Sequence, residues 1–413
     1  MGETVVVEAQ AGNTSLRGTG FWLLWANTVS IAMVMSADRF TFEWLVGETL
    51  DAPDWASGLV LFALGAPVCA FVLTAGALAD RHDRRRMLLG TQFAGFAVLI
   101  ASAFVVWSGM ASVASASLLA AAFGTVTAFS QPVRSALLPT VVPRSQLMHA
   151  IVVVTIGTNT AMIIGPLLAG GAIDIEGVGT AFAVQAGFYL VGVLLLTQLH
   201  VPPAPAPDHS TGLRAQVGEG LRFTWAHREL RALFALLAVG GMLMMGSAVA
   251  LLPKIARDEF GREAGDASML FALMGVGMIV TSAVLIKTRQ RITRRGLVFM
   301  AAMVVGTSNQ VLQGFAPTFV WLQVLLFVWG LSGGFYLNLN QTLIQELTPP
   351  EKMGRVMAIA TLTHAGLVPF GALMASALAG AIGAQPAMSV VGVVSLTCVL
   401  LALSFAKQLR AQV

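Results

Sequence analysis

Twelve continuous apolar runs alternate along the chain with short polar segments. They fall at 20–45, 56–79, 87–107, 110–131, 150–172 and 180–200, then at 230–252, 267–286, 297–316, 318–340, 356–380 and 384–406. Each run is long enough to cross about 30 Å of hydrocarbon as a helix rising about 1.5 Å per residue. The runs are apolar throughout rather than at every second position, which predicts helices and not barrel strands. The expectation is an all-α membrane protein of twelve transmembrane helices.

The longest polar interruption separates spans six and seven. It opens with the Pro-rich stretch "HVPPAPAPDHSTG" at 200–212. After it, Leu213, Val217, Leu221 and Trp225 recur every four residues, the pattern of an amphipathic helix lying on a membrane surface. The chain is expected to divide there into a six-helix half at 1–199, a linker at 200–229 and a second six-helix half at 230–413. The halves look related. Basic loops follow spans two and eight, and Gln- and Pro-containing loops follow spans four and ten ("SQPVRSALLPTVVPRSQL" and "NQTLIQELTPPEKMGRV"). A parallel repeat of this kind predicts a site at the midplane between the halves.

Composition agrees with the pattern. Hydrophobic residues make up 56% of the chain and charged residues 11%, against roughly 25% charged in a soluble domain. The charge is strongly one-sided. With an even number of spans both termini share one side, and that side collects 20 of the 24 Lys and Arg residues, Arg134 included. The other side holds Lys254, Arg257 and Arg262, and Arg39 falls inside span one. Basic loops stay inside, so both termini are expected in the cytoplasm and the protein in the cytoplasmic (inner) membrane. The net charge of +4 is thereby explained by topology, and nucleic acid is not expected as a partner. Residues 1–19 do not read as a signal peptide. Cys69 and Cys398 lie inside apolar runs and read as small packing residues.

Six charges crowd into the seven residues Asp80 to Arg86, between spans two and three, in "GALADRHDRRR". This stretch resembles the signature loop of the major facilitator superfamily, in which a Gly is followed by an Asp, a basic residue, a Gly and a basic pair. Gly76, Asp80, Arg81, Arg85 and Arg86 match that pattern, and Asp83 stands where it has Gly. The resemblance implies a gating loop. Physically, such charges can pair with acidic groups or with carbonyls at neighbouring helix C-termini. Further stretches, among them "NTVSIAMVMSADRF" and "EGLRFTWAHRELRALF", are similar to the drug and siderophore exporters of the superfamily, the enterobactin-exporter and macrolide-efflux type. "IIGPLLAGGAI" partly resembles the span-five Gly-Pro motif of its antiporters through Gly165, Pro166, Gly170 and Gly171. Small residues there permit close helix approach, and Pro166 frees a carbonyl.

Span one carries the intramembrane charges Asp38, Arg39 and Glu43. Each would cost roughly 2.5–3.5 kcal/mol at a helix centre, so a cavity and a function are expected for them. Arg39 and Glu43, four residues apart, are expected to neutralise each other. Asp38 is left over, on one helix face with Asn27, Ile31 and Val34 or Met35. A carboxylate in a semi-dry cavity is suited to take up and release a proton. The later spans offer Asn309, Gln313, Asn338 and His364 as further cavity candidates.

There is no H-E-x-x-H, no metal-ligand cluster, no G-x-S-x-G and no nucleotide-binding loop, so neither an enzyme nor a cofactor is expected. The sequence predicts a monomeric, proton-coupled exporter of a small amphipathic organic molecule. An uptake permease for a nutrient or siderophore is the alternative within transport. A membrane signalling or lipid-handling protein is the alternative outside it.

Overall fold

The computed structural model describes residues 19–81, 83–143, 146–199, 221–288, 295–349 and 352–405. Among them, twelve helices are long and apolar enough to cross a membrane, and no strand is present. They are α1 (Thr19–Trp44, continued by a π-helical turn at Leu45–Thr49), α2 (Asp54–Arg81), α3 (Arg84–Trp107), α4 (Val113–Val141), α5 (Leu147–Glu176) and α6 (Val178–Gln198). Then come α7 (Arg228–Glu259), α8 (Ala264–Thr288), α9 (Arg295–Gln313), α10 (Phe319–Leu347), α11 and α12 (Ala384–Phe405). The all-α, twelve-helix expectation holds. Of the expected surface helix, residues 221–226 are helical with Trp225 exposed, while 200–220 lie outside the described residues.

Local chemistry sets the ends. Ser112 caps α4 by accepting from the Ser115 amide at 3.1 Å, and Thr318 caps α10 by accepting from the Trp321 amide at 3.2 Å. Gly177 (φ 85°) joins α5 to α6 and Gly383 (φ 88°) joins α11 to α12. With ψ at 179° and 161°, both turns sit in a region open essentially to glycine alone.

Two helices are interrupted. α7 passes through π-helical stretches at Val239–Met245 and Ile255–Glu259. α11 is split into Met353–Ala365 and Val368–Ile382, with Pro369 in the first turn of the second segment, where its missing N–H costs nothing. The break matters for packing. The second segment of α11 lies along α2, whereas the first packs on α7 and α10.

The bundle has two ends. One carries the basic loops at the close of α2 and α8. At the other, "far", end α1 runs into α2 and α7 into α8. Contacts between the first six and last six helices concentrate there. A Cβ on Gly58 of α2 would touch Ser376 of α11 at 2.8 Å, and one on Gly170 of α5 would meet the Ala264 carbonyl of α8 at 2.6 Å. Small residues thus let these helices approach backbone to backbone.

Candidate functional site

A cavity of about 760 Å³ lies between the first and last six helices, within the roughly 300–1,000 Å³ of small-molecule sites. Its wall takes Met35, Asp38 and Arg39 from α1, Leu64 and Val68 from α2, Gln131 from α4, and Met357, Thr361 and Pro369 from α11. Gln131, Ala358, Thr361 and Ala365 are exposed, so the space opens toward the basic end. A smaller cavity of about 270 Å³ shares Met35, Arg39 and Gln131 and extends between α5 and α8, past Arg134, Thr158, Met162, Phe271 and Met274. The lining is apolar and rich in methionine, which adapts its shape to irregular ligands.

The far end is closed by charge. Lys254 of α7 holds Asp54 of α2 at 2.7 Å and also pairs with Asp258. Arg257 Nη1 stands 3.7 Å from Oε1 of Glu43, and its Nε lies 2.8 Å from Asp258 and 3.9 Å from Glu48. The guanidinium also sits 5.5 Å over the Trp44 ring. Glycine at 47 leaves it room, since a Cβ there would collide with it. Asp174 of α5 accepts from the Gly265 amide of α8 at 2.8 Å. Between this seal and Arg39, Phe40 packs on Trp44 (5.6 Å) and Phe271 (6.2 Å) as an aromatic floor.

Two sequence expectations for α1 need correction. Glu43 neutralises Arg257 and not Arg39, and it belongs to the seal rather than the cavity. At the end of α1 the packing of α7 brings a cation closer to Glu43 than its own helix does. Asn27 does share the buried face of Ile31, Val34 and Asp38, but its amide bonds Gln92 of α3 (3.1 Å) and the Gly192 carbonyl of α6 (2.9 Å). It therefore ties α1 to α3 and α6. Asp38 alone of that face reaches the cavity, with Oδ1 accepting from the Arg39 amide at 2.6 Å.

The amides of the later helices are not cavity groups either. Gln313 donates to Asn309 at 2.9 Å within buried α9, and the neighbouring Gln310 bonds Ser247 of α7 at 2.7 Å. Asn338 donates to the Gly334 carbonyl at 2.7 Å and to Ser282 of α8 at 3.3 Å. His364 is absent from the walls of both cavities, and its Nδ1 lies 3.5 Å from the Tyr336 hydroxyl. The bonds of Gln310, Asn338 and His364 to neighbouring helices are polar ties, and that of Gln313 stays within α9.

In the charged loop, α2 runs to Arg81, and the side chains of Asp80 and Arg81 and the surroundings of Gly76 lie outside the description. Asp83 caps α3 by accepting from the Arg86 amide at 2.8 Å, with φ −60°, so no glycine-like turn is needed there. Arg85 donates to the Leu196 and Thr197 carbonyls at 3.1 and 2.7 Å, at the C-terminal end of α6. Arg86 is exposed. In the span-five motif, Gly165 lies against the Met33 carbonyl and Ser36 of α1, Gly170 against α8, and Pro166 lines the smaller cavity. Nothing faces Gly171.

Sequence reasoning missed Lys254, Arg257 and Arg134. The first two were visible as exceptions to the basic-side bias. The apolar run ends at 131 and places Arg134 in a loop, yet α4 continues to Val141 and buries it, 6% exposed.

The family model "Major Facilitator Superfamily" matches residues 24–369. The multidrug efflux pump Tap of Mycobacterium tuberculosis is 28% identical over 384 residues, covering 89% of each chain. The enterobactin exporter EntS of Escherichia coli is 26% identical over 347 residues, covering 80% of this chain and 77% of its own. Among solved structures, the nucleoside transporter NupG superposes with a TM-score of 0.75 at 13% identity, over 94% of this chain and 99% of that one. At that identity the likeness speaks for the fold.

Proposed function

Because the chain belongs to the major facilitator superfamily, we propose that this membrane transporter of small molecules works as a secondary active exporter, moving an amphipathic organic solute by alternating access. One observation carries the reading. Ion pairs between the first and last six helices close the far end, while the basic end opens onto a cavity that holds Asp38. With the basic end in the cytoplasm, by the charge bias of the loops, this is the state that receives cargo from inside. The two six-helix halves rock about the cavity. Separating α7 from α1 and α2 opens the far end, and bringing the first segment of α11 onto α2 closes the near one. The exporter names of Tap and EntS support the outward direction.

Asp38 is the proton-binding group. It is the acidic side chain on the cavity wall, 5% exposed, and Glu43 is held in the seal. Inverted membrane vesicles under an imposed proton gradient, offered a panel of dyes and siderophores, test the proposal. Wild-type vesicles should accumulate at least one compound without ATP, and Asp38→Asn vesicles should not, though its binding should persist. Accumulation only in right-side-out vesicles would make the protein an uptake permease. Equal gradient-driven accumulation by Asp38→Asn would place coupling elsewhere.

A further inference from the structure

Arg134 is a buried cation that the transport cycle described above does not use. Only 6% exposed, it forms part of the smaller cavity's wall beside Thr158 and Met162, and no carboxylate pairs with it among the described residues. Its Nε and Nη2 are buried without any hydrogen-bond partner. These two nitrogens make one edge of the guanidinium fork, the edge that takes both oxygens of a carboxylate in parallel. A guanidinium stripped of water and left unpaired is costly, and an anion that docks there repays the cost. Among the described residues no such anion is offered. Tyr189, whose buried hydroxyl is also unpartnered, lies within the field of Arg134 but is a neutral phenol. Asp38 lines the larger cavity and accepts from the Arg39 amide, and Glu43 is engaged by Arg257.

We infer that Arg134 is the seat for an anionic group of the cargo, which makes the substrate class an amphipathic organic acid. Its carboxylate, or an equivalent oxyanion, docks on the Arg134 guanidinium, whose buried Nε–Nη2 edge turns toward the cavity to receive it, with Arg39 on the shared wall adding a second positive charge. The apolar body lies against Met35, Met162, Phe271 and Met274. The anion and the proton have separate seats, Arg134 toward α5 and Asp38 toward α2. An acid leaving the cell as an anion also runs with the inside-negative membrane potential. The inference deepens the export reading and rests on it, but its test needs no transport.

The probes are a naphthalene carboxylate and the matching naphthalene carboxamide, titrated against the purified full chain by tryptophan fluorescence. Wild type should bind the carboxylate about tenfold or more tightly than the amide, the difference expected of one charge-assisted pair. Arg134→Gln should abolish that preference while leaving amide affinity within about twofold, and Arg134→Lys, which keeps the charge but not the fork, should fall between. No preference in wild type overturns the assignment. So does a wild-type preference in Arg134→Gln, or an equal loss of both probes in a folded Arg134→Gln protein. Should Arg134→Gln fail to fold, wild type and Arg134→Lys decide alone, and unchanged discrimination in Arg134→Lys counts against the fork. Carboxylate-selective binding without any vesicle transport would refute export and leave the anion seat standing.

Discussion

Arg257 in α7 stands 3.7 Å from Glu43 in α1, and the carboxylate of Glu43 has no exposed surface. The pair spans the two halves of the bundle, so it exists only while the far end is shut. Removing one partner of a buried pair costs more than the pair contributes, about 3–5 kcal/mol, because the other charge is stranded. Arg257→Met should therefore shift the population toward the far-end-open state. Spin labels at Thr49 and Glu259 would report it as a longer mean distance than in wild type. An unchanged distance distribution would mean that the Lys254–Asp54 bridge alone suffices.

The span-five glycines separate packing from tolerance on one helix. Gly165 and Gly170 face backbone of α1 and α8, whereas nothing lies near Gly171. Gly165→Ala and Gly170→Ala should each destabilise by about 1–3 kcal/mol through overpacking, and Gly171→Ala should be neutral or slightly stabilising in the helix. Thermal melting of the three variants in detergent checks the order. Equal melting temperatures would remove the close-approach argument.

Asn27 tests the distinction between a tie and a cargo contact. Asn27→Ala leaves buried Gln92 without its partner, at a cost of about 1–3 kcal/mol. Melting temperature should fall while the ratio of affinities among transported compounds stays as in wild type. A changed ratio with normal stability would return Asn27 to the cavity.

Orientation is open to direct chemistry. In a background with Cys69 and Cys398 replaced, single cysteines at His149 and Glu229 should react with an impermeant thiol reagent only from the cytoplasmic side. Those at Asp51, Gly109 and Glu263 should react from outside. Labelling of position 149 from outside would invert the bundle, and with it the proposed direction of transport.

Hydropathy made the fold legible, because the cost of unsatisfied backbone in lipid allows few other arrangements for twelve apolar runs. The site was legible only where a charge interrupted a run. Asp38 stood out in that way and does line the cavity. Glu43 stood out equally, yet its partner lies 214 residues further along the chain, and an i,i+4 rule looks only along one helix. The amides in α9 and α10 are as polar as any cargo contact, and only their hydrogen bonds show them to be engaged inside the bundle. Arg134 was hidden for the opposite reason. Three residues past the end of an apolar run, it read as one more loop arginine, although the helix carries on for seven residues beyond it.

The two sets of six helices contribute unequally to the far-end closure, because both bridging cations come from α7, which also holds Asp258 beside them. The first six helices bring Glu43, Glu48, Asp54 and Asp174 to the closure, and α7 answers with Lys254 and Arg257. A bundle assembled from two copies of the first half would set acid against acid at its mouth and stand ajar, and two copies of the second would leave Lys254 and Arg257 with only their own Asp258 and nothing to reach across to. Whatever likeness the halves share in their caps and glycine turns, their mouths have become a key and its keyhole, and neither half can stand in for the other.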